Sequence, residues 1–283
     1  MGRYHRSGSS SLHGRLLGAI LLLLLLPLPA TAAPLTFGIV PQQAASTLIR
    51  DWTPLLRLLS EQSGLALRFA TAPTIPEFEA RLQASEYDIA YMNPYHFTVF
   101  NDSPGYHALV HAADRQIRGI VVVRHDASIG ALTDLEGGEL VFPAPAAFAA
   151  TLLTQATLRR DGINFTPRYV GSHDSVYLNV AKGLALAGGG VMRTYNMAPA
   201  AVREQLRVLY TTPGFTPHAI ATAPRLPDAS RQALLQALLA LPETEAGRAA
   251  LERINISAFQ TATDSTWDDV RELGINRLLA QER

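Results

Sequence analysis

Short β-type runs alternate with amphipathic helical runs along most of this chain. That alternation is the pattern of parallel sheets covered by helices, and it constrains the fold more than any other feature. Residues 35–40 read as a first strand. Trp52, Leu55, Leu56 and Leu59 then recur at i, i+3, i+4 and i+7, one face of a helix that Gly64 ends. Residues 67–70 are a second strand, Phe78 and Leu82 among Glu77, Glu79 and Arg81 mark a short amphipathic helix, and 87–92 is a third strand feeding Asn93-Pro94. A second αβ unit follows, with strands over 120–123, 139–142, 168–170 and 185–192 and helices over 146–160 and 175–182. Residues 206–210 and 219–223 read as strands that lead back, and the remainder as helices over 229–241, 243–253 and 265–279. Two units of this size, with crossings near 112–119 and 210–218, predict a two-lobed α/β molecule in which helices flank a mixed or parallel sheet in each lobe. Lobe 1 is expected over 33–115 plus 214–283 and lobe 2 over 116–213.

The N-terminus carries Arg3, Arg6 and Arg15 without an acid, and residues 16–26 form an almost unbroken apolar run ending at Pro27. The run is about half the ~20 residues of a membrane span, and Ala30-Thr31-Ala32 supplies a small-x-small cleavage pattern. It reads as a secretory signal, residues 1–32, cleaved after Ala32; an uncleaved anchor is the alternative. The chain has 24 basic and 24 acidic residues, so losing those three arginines leaves it mildly acidic. Its one lysine, Lys182, and its scattered arginines give no footprint for nucleic acid. The absence of cysteine excludes disulfides, thiolate metal sites and a lipid-modified N-terminal cysteine. The expectation is a soluble, monomeric protein of the bacterial periplasm with no metal and no cofactor.

Catalytic motifs are lacking. There is no Gly-x-Ser-x-Gly elbow, no His-Glu-x-x-His and no phosphate-binding Gly-rich loop ending in Gly-Lys-Ser/Thr. Ser172-His173-Asp174 invites a hydrolase reading, but a triad is assembled through space, and neighbours on one extended segment point apart. A non-enzymatic receptor for a small molecule is the expectation.

Five segments carry a resemblance. They are Phe37-Gly38-Ile39-Val40-Pro41, Trp52-Thr53-Pro54-Leu55, the run from Tyr87 through Asn93-Pro94-Tyr95, Leu132-Thr133-Asp134-Leu135-Glu136-Gly137, and Gly171-Ser172-His173-Asp174-Ser175. In this order and spacing the chain resembles the PhnD-like periplasmic substrate-binding proteins of ABC transporters. The resemblance implies a class II periplasmic-binding fold whose lobes close on a ligand by hinge bending. It also implies delivery of that ligand to an ABC permease or, in relatives with divergent pockets, presentation to a membrane sensor kinase. Phosphonate binders of the family carry a Ser-Thr-Ser-Gly type stretch that grips the oxyanion at the N-terminus of a second-lobe helix, and here the aligned residues are Ala147-Phe148-Ala149-Ala150. An acidic position of the family falls at Leu186 and a first-lobe tyrosine near Ile75. A phosphonate held without those donors would leave charge unpaired, so the expected ligand is not a phosphonate.

Ligands of open α/β sheets sit beyond the carboxyl ends of the strands. Pro41, Gln42 and Gln43 follow the first strand, where they either line the cleft or only lead into a helix. Tyr91, Asn93 and Tyr95 end the third, and alternation sends Tyr91 and Asn93 to one side, toward cleft or core. Phe148 is either an aromatic wall of the cleft or core. His173, with Ser172, aligns with a ligand-contacting histidine of the family, although Ser172 and Asp174 also suit a helix cap. Arg193 and Tyr195 follow an apolar strand, where a guanidinium either holds an anion or lies solvated.

Overall fold

The computed structural model describes residues 1–5, 33–113 and 115–275. Apart from residues 1–5, the predicted signal segment lies outside the described residues, as does the end of the helix predicted over 265–279. All sheets and helices belong to the second of two contact units, which begins at Pro34.

Two sheets are present. The first contains β1 (Leu35–Ile39), β2 (Leu67–Ala70), β3 (Ile89–Met92) and β4 (His107–Ala112). The second holds β5 (Gly119–Arg124), β6 (Glu139–Phe142), β7 (Thr166–Tyr169), β8 (Ala187–Val191) and β9 (Leu206–Thr211). The chain then returns to the first sheet for β10 (Ala219–Thr222) and β11 (Phe259–Thr261), giving orders β11-β4-β10-β3-β1-β2 and β7-β6-β8-β5-β9. It passes between the sheets twice, from β4 to β5 and from β9 to β10. Both sheets are mixed: β3 lies parallel to β1, with Ile39 opposite Tyr91, and antiparallel to β10, with Ile220 opposite Tyr91. This is the predicted two-lobed α/β fold.

Helix α1 (Ala45–Ser63) buries Leu48, Trp52, Leu55, Leu56 and Leu59, the face its periodicity predicts. It ends at Gly64, whose φ of 71° is a left-handed conformation that glycine adopts without the Cβ penalty. Helix α2 (Ile75–Gln83) is capped by Thr74 and α3 (Pro94–Asp102) by Asn93, whose side chain accepts from the His96 N–H. The helix predicted from residue 146 begins instead as a π-helical turn (Phe148–Leu153) that runs into α4 (Thr154–Arg160). The next helix, α5 (His173–Ala181), starts two residues earlier than predicted, because Ser172 rather than Asp174 caps it. His173 is therefore the first helical residue and not part of a loop. Helix α6 (Met192–Met197) follows β8 directly. The sequence reading did not resolve α3, α6, β4 or β11.

The first lobe's apolar core runs on past its own sheet to Ala147, Phe148, Ala149, Ala150 and Val191, which belong to the second lobe's segments. Two smaller clusters cover the two faces of the second sheet. The lobes are thus joined by apolar packing as well as by the crossing segments.

Candidate functional site

Each end of this junction is set by a strand's carboxyl terminus. Beyond β1, Gln42 is buried and its backbone carbonyl accepts from the His173 N–H of the other lobe at 2.9 Å. Beyond β3, Asn93 donates from Nδ2 to the Ala146 carbonyl at 3.2 Å. The Ala44 N–H donates to Asp174 Oδ2 at 3.0 Å, and the Arg193 guanidinium to Gln42 Oε1 in a short contact. Among the described residues, four hydrogen bonds thus link the ends of β1 and β3 directly to the second lobe, beside the backbone pairing of Ile117 with Phe215 in the crossing segments. At the centre Phe148 is 1% exposed and meets Phe215 edge-on, with ring centroids 5.8 Å apart. The cavity left between Gln42, Asn93, Phe148 and His173 is about 10 Å³, less than one water's share of the liquid.

His173 is fully buried, with Nδ1 3.0 Å from the Thr194 hydroxyl, which in turn lies 2.8 Å from the Tyr177 hydroxyl. Burial, with the Arg193 charge adding to it, pushes its imidazole down to about 3, so the ring is neutral at physiological pH. His218 is also buried and stacks on Tyr91 with centroids 4.9 Å apart. Its Nε2 meets no partner, and burial followed by Arg193 holds it well below the ordinary histidine value. Arg193 lies over the Tyr91 ring, its carbon 5.9 Å from the centroid. Burial raises the Asp174 carboxyl, against which the hydrogen bond from Ala44 works.

Of the residues singled out from sequence, Gln42, Tyr91, Asn93, Phe148, His173 and Arg193 meet at the lobe junction. Pro41 is buried beside Gln42. Gln43 lines a separate pocket of about 240 Å³ with Thr47, Arg50 and Asp174. Tyr95 borders a groove of about 560 Å³, shared by both lobes, with Ile75, Glu79 and Pro145. Ser172 uses its hydroxyl on the helix cap, accepting from the Ser175 N–H at 3.1 Å. Tyr195 packs edge-on against Tyr177 in the second lobe and donates to the Leu206 carbonyl, so it lies in that lobe's own core. Sequence reasoning missed Thr194 and His218. Thr194 carries no local signal, and His218 reaches Tyr91 only because β10 pairs with β3.

Two mixed sheets joined by two crossings, with strand ends converging between them, define a two-lobed periplasmic-binding-protein fold. Residues 37–267 match the family model described as the ABC transporter, phosphonate, periplasmic substrate-binding protein, and the chain belongs to that family. The family is one of transport binding proteins. A curated relative, the phosphate-import protein PhnD of Mycolicibacterium smegmatis, is 23% identical over 182 residues; the match spans 54% of this chain and 54% of that relative. Among solved structures, a binding protein component of an ABC phosphonate transporter from Pseudomonas aeruginosa superposes with a TM-score of 0.79 at 17% identity, covering 87% of each chain. PhnD1 from Prochlorococcus marinus, in complex with methylphosphonate, superposes with a TM-score of 0.78 at 16% identity, covering 86% of this chain and 97% of that one.

Proposed function

We propose that this chain is the exported, solute-binding component of an ABC importer, that its lobes close on a small ligand, and that the ligand is not a phosphonate. The observation that carries the reading is the wall formed by Ala147, Phe148 and Ala149. It offers no side-chain hydroxyl, and the buried phenyl ring stands at the helix start beside a cavity of only about 10 Å³. Tetrahedral oxyanions need several donors at once, and each missing charged hydrogen bond costs on the order of 1.5–3 kcal/mol. Gln42, Asn93, His173 and Arg193 supply the junction's polar groups, and a ligand entering between the lobes replaces part of the contacts they now make to one another. His173 is the expected ligand contact of the second lobe.

A second reading, presentation of a ligand to a membrane sensor kinase, draws support from the four direct hydrogen bonds between lobes, since a receptor that closes on its own contacts can report ligand by opening. A thermal-shift screen of the chain beginning at Ala33 over phosphate, methylphosphonate, short carboxylates, amines and sugars tests the receptor reading. A ligand at 100 times its dissociation constant adds about 2.7 kcal/mol of stability. A clear shift with at least one solute other than phosphate or methylphosphonate is expected; a shift with methylphosphonate alone overturns the ligand assignment.

A further inference from the structure

The central cavity is filled, but another opens between the lobes beside the crossing segments. It measures about 190 Å³ and is lined by Tyr91, Arg115, Arg118, Arg193, Asn196 and His218, with apolar groups between them. At about 30 Å³ per water in the liquid, this is the room of roughly six waters. Three arginines converge on it, and among the described residues its lining carries no acidic side chain. Arg193 donates to Gln42 Oε1 and to the Met197 sulfur, and a guanidinium carries five N–H donors in all. Arg118 holds the Thr212 carbonyl and Gln116 Oε1, so it stands at the rim. His218, buried with Nε2 unpartnered, adds a polar group to the floor without adding charge. Ile117, Met192 and Ile256 complete the lining with apolar surface.

We propose that this pocket, together with the junction opened beside His173, forms the ligand site and that its ligand is a short-chain organic carboxylate anchored by Arg193. A planar guanidinium pairs with a planar carboxylate through two parallel hydrogen bonds, and the apolar remainder receives the carbon chain. A tetrahedral phosphate would present its oxygens to Met192 and Ile256 as well. The inference rests on the receptor reading and names the ligand class for it. It also accounts for Phe148: the ring closes the position at the helix start, and the carboxylate end of the ligand lies beside Arg193, toward the crossings.

The test is calorimetry and thermal shift with acetate, lactate and succinate on the wild-type chain, on Arg193→Gln, on Arg193→Lys and on Asn196→Asp. At least one of the three is expected to bind wild type. Arg193→Gln weakens that binding about ten- to hundredfold, as loss of a charged hydrogen bond requires, and Arg193→Lys recovers part of it. Asn196→Asp leaves Arg193 in place and also weakens binding by placing a like charge in the pocket, so a poorly folded Arg193→Gln does not end the test. Binding of an amine or a neutral solute with none from the three carboxylates overturns the pocket's assignment and leaves the receptor reading standing. Carboxylate binding unchanged in both Arg193→Gln and Asn196→Asp, or phosphate bound more tightly than any carboxylate, overturns it too. If no solute in the wider screen stabilises the chain, the receptor reading falls with it.

Discussion

A phenyl ring at position 148 trades hydrogen-bonding capacity for apolar contact, and both sides of that trade are measurable. Truncating a fully buried Phe costs about 3–5 kcal/mol, so Phe148→Ser is expected to melt well below wild type. The same change restores both space and a hydroxyl, and methylphosphonate binding is expected to become detectable by calorimetry in that variant alone. His173 and His218 set a second residue-scale expectation. Both take a proton near pH 6.5 when unfolded and remain neutral far below that when folded, because burial comes first and Arg193 second. The folded form therefore binds fewer protons in acid. Stability is complete above pH 6.5 and declines as pH falls toward 3, by up to about 1.4 kcal/mol per pH unit for each histidine. A melting series from neutral to mildly acidic pH checks this, and a flat profile would contradict neutral burial. His173→Ala is expected to lose stability as well as affinity, since its ring fills buried space beside Thr194. Tyr91, Asn93, His173 and Arg193 were legible as strand-end residues. His218 was not, because its place depends on an antiparallel pairing that no local pattern encodes.

At the scale of elements, β8 shows why a run of three glycines stands in a buried strand. A Cβ on Gly188 would lie 2.5 Å from a Val176 methyl, one on Gly189 2.0 Å from the Ala150 carbonyl oxygen, and one on Gly190 2.4 Å from the Tyr177 hydroxyl. The strand is thus pressed by the π-helical turn on one side and α5 on the other. Gly189→Ala must move backbone rather than a flexible side chain, so it is expected to lower the melting temperature more than Gly188→Ala, where Val176 can shift. Equal effects would contradict this packing. The α1 face and the strands before it could be read from periodicity, since an amphipathic helix of 19 residues repeats its pattern many times. β11, with three residues, repeats it too few times to register. In β4, His-Ala-Leu-Val-His-Ala is buried almost throughout and so lacks the alternation of a one-faced strand. Asn93-Pro94 held the start signal of α3, a cap followed by proline at the first helical position, but it equally fits a turn.

For the whole molecule, the sequence carried the architecture because its β and α runs alternate in two groups, and it carried less of the site because ligand geometry depends on how the groups meet. The lobes meet through the chain's own contacts. A compact domain of this size has a radius of gyration of about 18 Å, and a value near that is expected from small-angle scattering without ligand. Asp174→Ala releases the Ala44 N–H and is expected to raise the value by weakening closure; an unchanged radius would show that apolar packing around Phe148 alone holds the lobes. The central proposal is that the apolar wall of Ala147, Phe148 and Ala149 does not hold a phosphonate. It is tested most directly by calorimetric titration of the wild-type chain, from Ala33 onward, with methylphosphonate. The expected result is no saturable heat at micromolar protein. A submicromolar dissociation constant would contradict the account, because backbone N–H groups at the start of the π-helical turn would then suffice where Ala147, Phe148 and Ala149 offer no hydroxyl.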